Sequence, residues 1–593
     1  MAETIGRLFL NTVRTFPKPD LLLHKVQGAY APISTEEFAR SVRTMAAGLK
    51  DLGCKAGDKV IILAENGPWW VIADFAALCL GAVTVPIYPT LTPEQVRYII
   101  DDSDASIVLC SSQALWRKIE AIKGSLGKVA HFVCFPADTY PGAIRLADLL
   151  ERGRALDAAD PGAFEKTALG VKADDLASII YTSGTTGVPK GVMLTHGNFV
   201  SNVETLASIV KFGHPDYVLS FLPLSHVLER MVTFAFLSRG CSIAYAESVD
   251  TVAENLLEVR PQIMVSVPRL FEKIYAKVLD NVARGSGLKK KIFFWGIGTG
   301  IESSRRALSG RKISVFLRFK RALASKLVYS KVLEKTGGRV RFFVSGGAPL
   351  SKDIAEFFHA IGLVVLEGYG LTETAPVIAV NTFEAMRFGT VGRPIPGIQV
   401  KIAEDGEILV KGPNVMKGYH KKPEETREVF DADGWFHTGD IGRLDEDGYL
   451  VITDRKKDLI ITAGGKNIAP QPIENTLKRN PYITNVVVIG ARRKFVSAIV
   501  VPDLDKLGEY AKLNAIAYQG APDLIGKDEI KAFLLEEIDR CTPNLAPYEK
   551  IKKIILLEKD FEIEKEELTP TLKVKRNKVE EKYKALIDAL YRE

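Results

Sequence analysis

Short apolar runs alternate with helix-length segments through roughly the first three quarters of the chain. Residues 59–63, 105–109, 176–181, 217–221, 263–267, 340–345 and 364–367 read as strands, each dominated by branched or aromatic side chains. Strands recurring at such intervals predict an α/β chain with largely parallel sheets. One uncharged stretch, residues 75–93, approaches bilayer length, but Gly81, Pro86, Pro89 and Pro93 interrupt it. It predicts a buried helix over 69–80 and a buried strand over 82–87, and no membrane span.

Between residues 389 and 418 the texture changes to short strands closely punctuated by Gly and Pro, which predicts a β-rich subdomain. Beyond Arg455 the pattern is that of a small α+β unit. Strands are expected at 458–462, 486–490 and 497–501, a helix over 471–479, and a charged amphipathic helix over 574–591. The polar run DRKKD at 454–458 separates two strand-like stretches and is the expected linker. The resulting division is a large N-terminal domain, 1–455, and a small mobile C-terminal domain, 456–593. A chain of 593 residues is too long for one simple core, so two or three domains suit it.

Hydrophobic residues at 47% and charged residues at 25% are ordinary for a soluble enzyme. None of the 6 cysteines forms a C-x-x-C pair, which argues against zinc and thioredoxin-like sites and for buried thiols in a reducing cytoplasm. The N-terminal apolar run is short and broken by charge, unlike a secretory signal. The net charge of +7 is unevenly spread. Residues 284–335 hold 14 Lys and Arg against two acids, Glu302 and Glu334, so the remainder is net acidic. Phe293, Phe294, Trp295, Val315, Phe316, Leu317 and Phe319 lie among those basic residues. The mixture suits peripheral contact with an anionic membrane, or equally a solvated helical surface over a core. Nucleic acid is disfavoured, because no groove-reading motif accompanies the charge.

The strand at 176–181 runs into Thr182, Ser183, Gly184, Thr185, Thr186, Gly187, Val188, Pro189 and Lys190. Gly184 and Gly187 let backbone N–H groups approach an anion, four hydroxyls add donors, and Lys190 adds a positive charge. The spacing is not that of a Walker A loop. A triphosphate tail needs this chemistry. The full string YTSGTTGVPKG resembles the signature of the adenylate-forming (AMP-binding) superfamily, which includes acyl-CoA synthetases, luciferases and peptide-synthetase adenylation domains.

Further segments continue that resemblance in order. SGGAPL at 345–350, with Gly347 and Ala348, and EGYGLTE at 367–373, with Gly368, Tyr369 and Gly370, resemble the adenine-binding segments. WFHTGD, ending at Asp440, resembles the ribose motif, and DRKKD, with Arg455 and Lys457, the hinge motif. The resemblance implies Mg²⁺ at Glu373, with Ser183 a second metal-side residue, and Thr372 at the α-phosphate. It implies a hinge at Lys457. Lys573 is implied as the lysine that reaches the carboxylate and α-phosphate, although Leu572 stands where the family usually has glycine, and Lys575 and Arg576 lie close by.

FLPLSHVLER at 221–230 is similar to the corresponding segment of bacterial long-chain fatty acyl-CoA synthetases, which often carry tyrosine where Leu228 stands. The match implies that His226 lies beside the acyl carboxylate. Leu270, Phe271, Ile274, Tyr275 and Val278 share one face of a predicted helix, which suits an acyl channel or ordinary core packing. TAGGKN at 462–467 implies a loop facing coenzyme A through Gly464, Gly465 and Lys466. The expected reaction is ATP-dependent activation of a long-chain fatty acid, via an acyl-adenylate, to its coenzyme A thioester. A fatty acyl-AMP ligase, a medium-chain or aryl acyl-CoA ligase, a luciferase-like oxygenase and a non-catalytic binding protein are the alternatives.

Overall fold

In the computed structural model, the sequences KVIIL, VTVPI and IVLC form neighbouring parallel strands, Lys59–Leu63, Val83–Ile87 and Ile107–Cys110. Apart from Lys59 at one end they are buried residue after residue, which is why branched apolar side chains dominate them. The structure describes residues 3–135, 140–182, 188–463, 466–562, 565–569 and 574–592. The chain divides into two compact units: 1–268, 286–400 and 409–437 in one, and 269–285, 401–408 and 438–593 in the other.

The first unit holds two large sheets. The eight-stranded one runs, in spatial order, through Gly418–Tyr419, Lys190–Thr195, Leu176–Thr182, Val83–Ile87, Lys59–Leu63, Ile107–Cys110, His131–Cys134 and Ile144–Arg145. The nine-stranded one places Tyr217–Ser220, Ile263–Ser266, Phe342–Ser345 and Val364–Gly370 side by side and parallel. Helix Pro68–Cys79 is buried over nearly its whole length, with proline in its first turn, and strand Val83–Ile87 is fully buried. Together they account for the long uncharged stretch. Among the described residues, no helix is long and apolar enough to cross a membrane.

The basic segment is helical: Gly287–Leu308, Val315–Ala324, a wide π-type turn Ser325–Tyr329, then Ser330–Glu334. Short strands Arg393–Pro394, Gln399–Ile402, Glu407–Lys411 and Gly418–Tyr419 make the expected β-rich stretch.

In the second unit, strands Ile483–Ile489, Val496–Pro502 and Ile551–Leu556 form a three-stranded sheet. Helices Pro470–Leu477, Leu504–Leu513 and Asp528–Cys541 bury Ile473, Leu507 and Leu534 in a core shared with Val486, Val488 and Val500. Two expectations need correction. The strand at 458–462 shrinks to Ile460–Ile461, paired with Asn467–Ile468. The tail is not one helix over 574–591. Val574 bridges Leu568 instead, and Arg576–Lys582 is separate from Lys584–Arg592. Tyr583 marks the break, its hydroxyl donating to Glu567 Oε1 at 3.1 Å. That tertiary bond fixes the junction despite a helical sequence pattern.

Candidate active site

The strands of the nine-stranded sheet end in loops that carry the candidate residues, the usual position for a ligand crevice in an open α/β sheet. Strand Phe342–Ser345 runs into Gly346 and Gly347; Gly347 has φ +82°, a left-handed conformation that favours glycine. Ala348 follows directly. Strand Val364–Gly370 lies parallel to it with Ser345 opposite Glu367. Glu367 is buried and accepts the Leu350 N–H at 2.9 Å, which ties the two loops together. Burial pushes its carboxyl up to about 8.

Gly368 and Tyr369 are half-buried, and Tyr369 lies opposite Ala379 on the neighbouring antiparallel strand. At Gly370 a Cβ would meet the Pro376 carbonyl at 1.8 Å, so this glycine is required by a close backbone approach. Thr372 and Glu373 form the next short turn, both half-buried.

Glu373 is not alone. The Tyr419 hydroxyl donates to its Oε1 at 3.0 Å, and the Lys190 ammonium lies 5.2 Å from the Tyr419 ring centroid. Strand pairing brings these residues together. Lys190 lies opposite Thr182 in the hairpin, and Tyr419 lies opposite Val192 on the same strand. Burial and the Glu373 carboxylate both raise the Tyr419 phenol. Sequence reading missed Tyr419. Its Gly-Tyr pair in a β-rich stretch carries no motif, and only the 192–419 pairing reveals it. Thr182 and Lys190 are described; Ser183, Gly184, Thr185, Thr186 and Gly187 lie outside the described residues.

Among the described residues no cluster of three or more His, Cys, Asp or Glu could hold a metal. Glu373, its carboxylate held by the Tyr419 hydroxyl, is a single hard-oxygen donor. It fits Mg²⁺, which keeps waters and phosphate oxygens around it, rather than a cation that needs a full protein cage.

His226 caps helix Val227–Ser238, its Nδ1 accepting the Leu228 N–H at 3.2 Å. That bond assigns Nε2 as the protonated nitrogen of a neutral ring. The preceding loop is clamped by Asn66, which donates to Leu222 O at 2.6 Å and accepts Leu224 N–H at 2.9 Å. A Cβ on Gly346 would meet Leu228 Cδ2 at 3.0 Å, so the first turn of this helix adjoins the loop before Gly347. Further along, Arg230 grips Asp74 with bonds of 2.8 and 2.5 Å, both side chains 1% exposed. Glu229, between them in sequence, accepts from Ser220 at 2.5 Å.

In the second unit, Asp440 and Arg455 lie directly opposite each other on antiparallel strands, Nε to Oδ1 3.3 Å. Asp440 is held by a bond from its own N–H to Thr438 Oγ1 at 3.1 Å. Lys457 lies exposed in the turn after Arg455. Its neighbour Lys456 is anchored to Asp405 at 2.6 Å and Glu407 at 2.9 Å. Lys466 is exposed, its ammonium 5.6 Å from the Tyr548 ring centroid, and Thr462 and Lys466 close their loop with a 3.0 Å backbone bond. Gly464, Gly465 and Lys573 lie outside the described residues. Arg576, the neighbour that competed with Lys573, is half-buried and paired with Glu474 at 2.7 Å and the Val488 carbonyl. It serves the core.

Residues 12–420 match the family described as AMP-binding enzyme, and residues 457–593 match the AMP-binding enzyme C-terminal domain. The chain is 36% identical to a long-chain-fatty-acid–CoA ligase, FadD15, of Mycobacterium bovis, over 97% of this chain and 95% of the relative. It is 32% identical to the peroxisomal long chain acyl-CoA synthetase 7 of Arabidopsis thaliana, over 100% of this chain and 86% of that one. The adenylation domain of a Mycobacterium chelonae carboxylate reductase shares the fold with TM-score 0.76 at 23% identity, over 100% and 91% of the two chains. A Mycobacterium tuberculosis fatty acyl CoA synthetase matches with TM-score 0.63 at 26% identity, over 98% and 99%.

Proposed function

The chain belongs to the AMP-binding enzyme family, and from that premise we propose that it activates a long-chain fatty acid with ATP and passes it to coenzyme A. The carrying observation is the Lys190–Tyr419–Glu373 cluster at the end of the hydroxyl-rich hairpin. It brings a cation and a hydrogen-bonded carboxylate together, which supports a site for a triphosphate and its Mg²⁺. Mg²⁺ would be held by Glu373, and on the resemblance by Ser183, and would neutralise phosphate charge.

In the first half-reaction the fatty carboxylate attacks the α-phosphorus and pyrophosphate leaves. Thr372 and Lys573 are the proposed donors to the charge that builds on the α-phosphate and carboxylate oxygens. His226, with Nε2 as donor, orients the carboxylate, while Tyr369 stacks on adenine between Gly368 and Gly370 and beside Gly347 and Ala348. Asp440 accepts from the ribose hydroxyls and Arg455 steadies it. In the second half-reaction coenzyme A thiolate attacks the acyl-adenylate carbonyl and AMP leaves, with Gly464, Gly465 and Lys466 facing the thiol carrier. The functional boundary we propose is 455/456, with the smaller domain turning about Lys457 between steps.

Among the described residues all 6 cysteines are free thiols, which supports a reducing, cytoplasmic compartment. Peripheral contact with an anionic membrane would bring the enzyme to a poorly soluble substrate. Screening carboxylic acids by chain length, reading AMP release with and without coenzyme A, tests the whole reading. Release only with long-chain acids and sustained by coenzyme A is expected. Turnover confined to short or aromatic acids would overturn the long-chain assignment, and adenylate formation without thioester would make the protein an acyl-AMP ligase.

A further inference from the structure

Helix Val315–Ala324 and the turn Ser325–Tyr329 carry a face that ordinary surface helices lack. Phe316 is 66% exposed, Phe319 68%, Leu323 42% and Leu327 40%. Their spacing of three, four and four residues lines them up in one stripe. Val315, 83% exposed, extends it at the helix start. Large apolar side chains collected into one exposed stripe mark a contact surface.

The stripe is not a misplaced piece of core. The inner face of the same segment already buries Leu317, Ala324 and Val328. It is fixed to helix Gly287–Leu308 by the Tyr329 hydroxyl, which donates to the Gly296 carbonyl at 2.6 Å, and by Arg321, which donates to Ser303 Oγ at 3.2 Å. The outer stripe is therefore held on a fixed support.

Charge identifies the occupant. No acidic residue lies between Glu302 and Glu334, whereas Arg311, Lys312, Arg318, Lys320, Lys326 and Lys331 all do. Lys320 sits 4.5 Å from the Phe316 ring centroid, so cation and apolar ring are presented together. Arg305 and Arg306, part of the same basic segment, are already engaged by Glu356 at 2.8 Å and Glu302 at 3.0 Å. Arg311, Lys312, Arg318, Lys320, Lys326 and Lys331 flank or interleave the stripe in sequence. A second copy of the chain would bring like charges face to face. A nucleic acid would match the charges and leave Leu323 and Leu327 in water. An anionic lipid surface meets both demands, with rings entering the headgroup boundary and lysines meeting lipid phosphates.

We propose that the 315–327 stripe docks the protein on anionic bilayers, with Phe316 and Phe319 as the inserted anchors. This deepens the membrane reading above and rests on it, not on the adenylation chemistry. The test is co-sedimentation of the full chain with vesicles of phosphatidylcholine alone or with about 30 mol% phosphatidylglycerol. Binding to the anionic vesicles only, weakened by salt, is expected. Phe316→Asp with Phe319→Asp should lower it by about tenfold or more. The same variant should keep ATP–pyrophosphate exchange with a long-chain acid supplied on albumin without vesicles, which reports an intact fold. Undiminished binding by the variant, or equal binding to neutral vesicles, would overturn the proposal. So would a self-associated protein that the variant turns into monomers without any vesicle binding. Failed exchange in the unmodified protein would sink the adenylation reading and leave the docking result standing.

Discussion

Two arginine–aspartate pairs occupy different units of this chain, and burial makes them different devices. Arg230 and Asp74 are each 1% exposed, and the guanidinium also donates to Ser178 Oγ at 2.6 Å and lies 5.2 Å from the Phe199 ring centroid. The guanidinium donates to the Thr84 hydroxyl as well, so the pair ties strand Val83–Ile87, strand Leu176–Thr182 and helix Pro68–Cys79 to the helix that begins after His226. Arg455 and Asp440 are 40% and 7% exposed at the side chain and joined at 3.3 Å. That guanidinium reaches water, where a ligand hydroxyl can compete. Identical chemistry therefore makes a buried strut in one unit and a partly solvated pair in the other.

Breaking the strut should produce the largest effect. Asp74→Ala strands a desolvated guanidinium, and a loss of about 3–5 kcal/mol is expected in urea unfolding. Asp440→Ala should cost under about 1 kcal/mol by the same measurement, because its partner is partly solvated. Equal destabilisation by the two variants would erase the distinction.

The second prediction reverses the readout. Asp440→Asn should raise the KM for ATP by roughly tenfold or more, the worth of hydrogen bonds to a charged acceptor, with unfolding unchanged. An unaltered KM would remove Asp440 from the nucleotide site.

The two pairs were not equally legible in the sequence. Asp440 and Arg455 sit in motifs whose residues are local, fifteen positions apart across one hairpin. Asp74 is a lone acid in the apolar helix PWWVIADFAALC, with its partner 156 residues away. No periodicity announces such a contact. The fold was readable where patterns are local: apolar strands, the buried helix and strand within 69–87, and the basic segment. The tail was misread because Tyr583 and Val574 answer to Glu567 and Leu568, not to their helical neighbours. Tyr419 escaped notice for the same reason, being placed by a strand partner more than two hundred residues away.

Glu229 supplies a third case, a buried acid that accepts from the Ser220 hydroxyl. Burial raises its carboxyl to about 8 against an ordinary value of 4.5, with only the Ser220 hydroxyl opposing. The folded protein keeps this proton between those values while the unfolded chain has released it. Stability is therefore fully present below about pH 4.5 and declines as pH rises towards 8, by at most about 1.4 kcal/mol per pH unit. Glu229→Gln should flatten that decline without lowering activity below pH 7, read by urea unfolding at a series of pH values. Glu367, raised to about 8 by burial, adds a decline of the same sign, so the single variant reduces the slope and the double variant reduces it further. A slope indifferent to Glu229→Gln would mean that this acid ionises inside the fold, held by something other than Ser220.

Glu373 is half-buried, more open than either aspartate, with a phenol donor at 3.0 Å and the Lys190 ammonium beyond the ring. Tyr419→Phe deletes one hydrogen bond and keeps the ring under Lys190. A net loss of about 1 kcal/mol in the orientation of Glu373 should raise the Mg²⁺ needed for half-maximal activity about fivefold. Glu373→Gln, which removes the carboxylate charge itself, should raise it further. If Tyr419→Phe changes the KM for ATP and leaves the Mg²⁺ requirement untouched, the phenol faces nucleotide and does not act through Glu373. If both variants move the Mg²⁺ requirement in that order, the half-buried acid is one whose position is set by the protein and whose charge is kept for the ligand. The buried strut cannot do this, because the Asp74 charge is already consumed by Arg230.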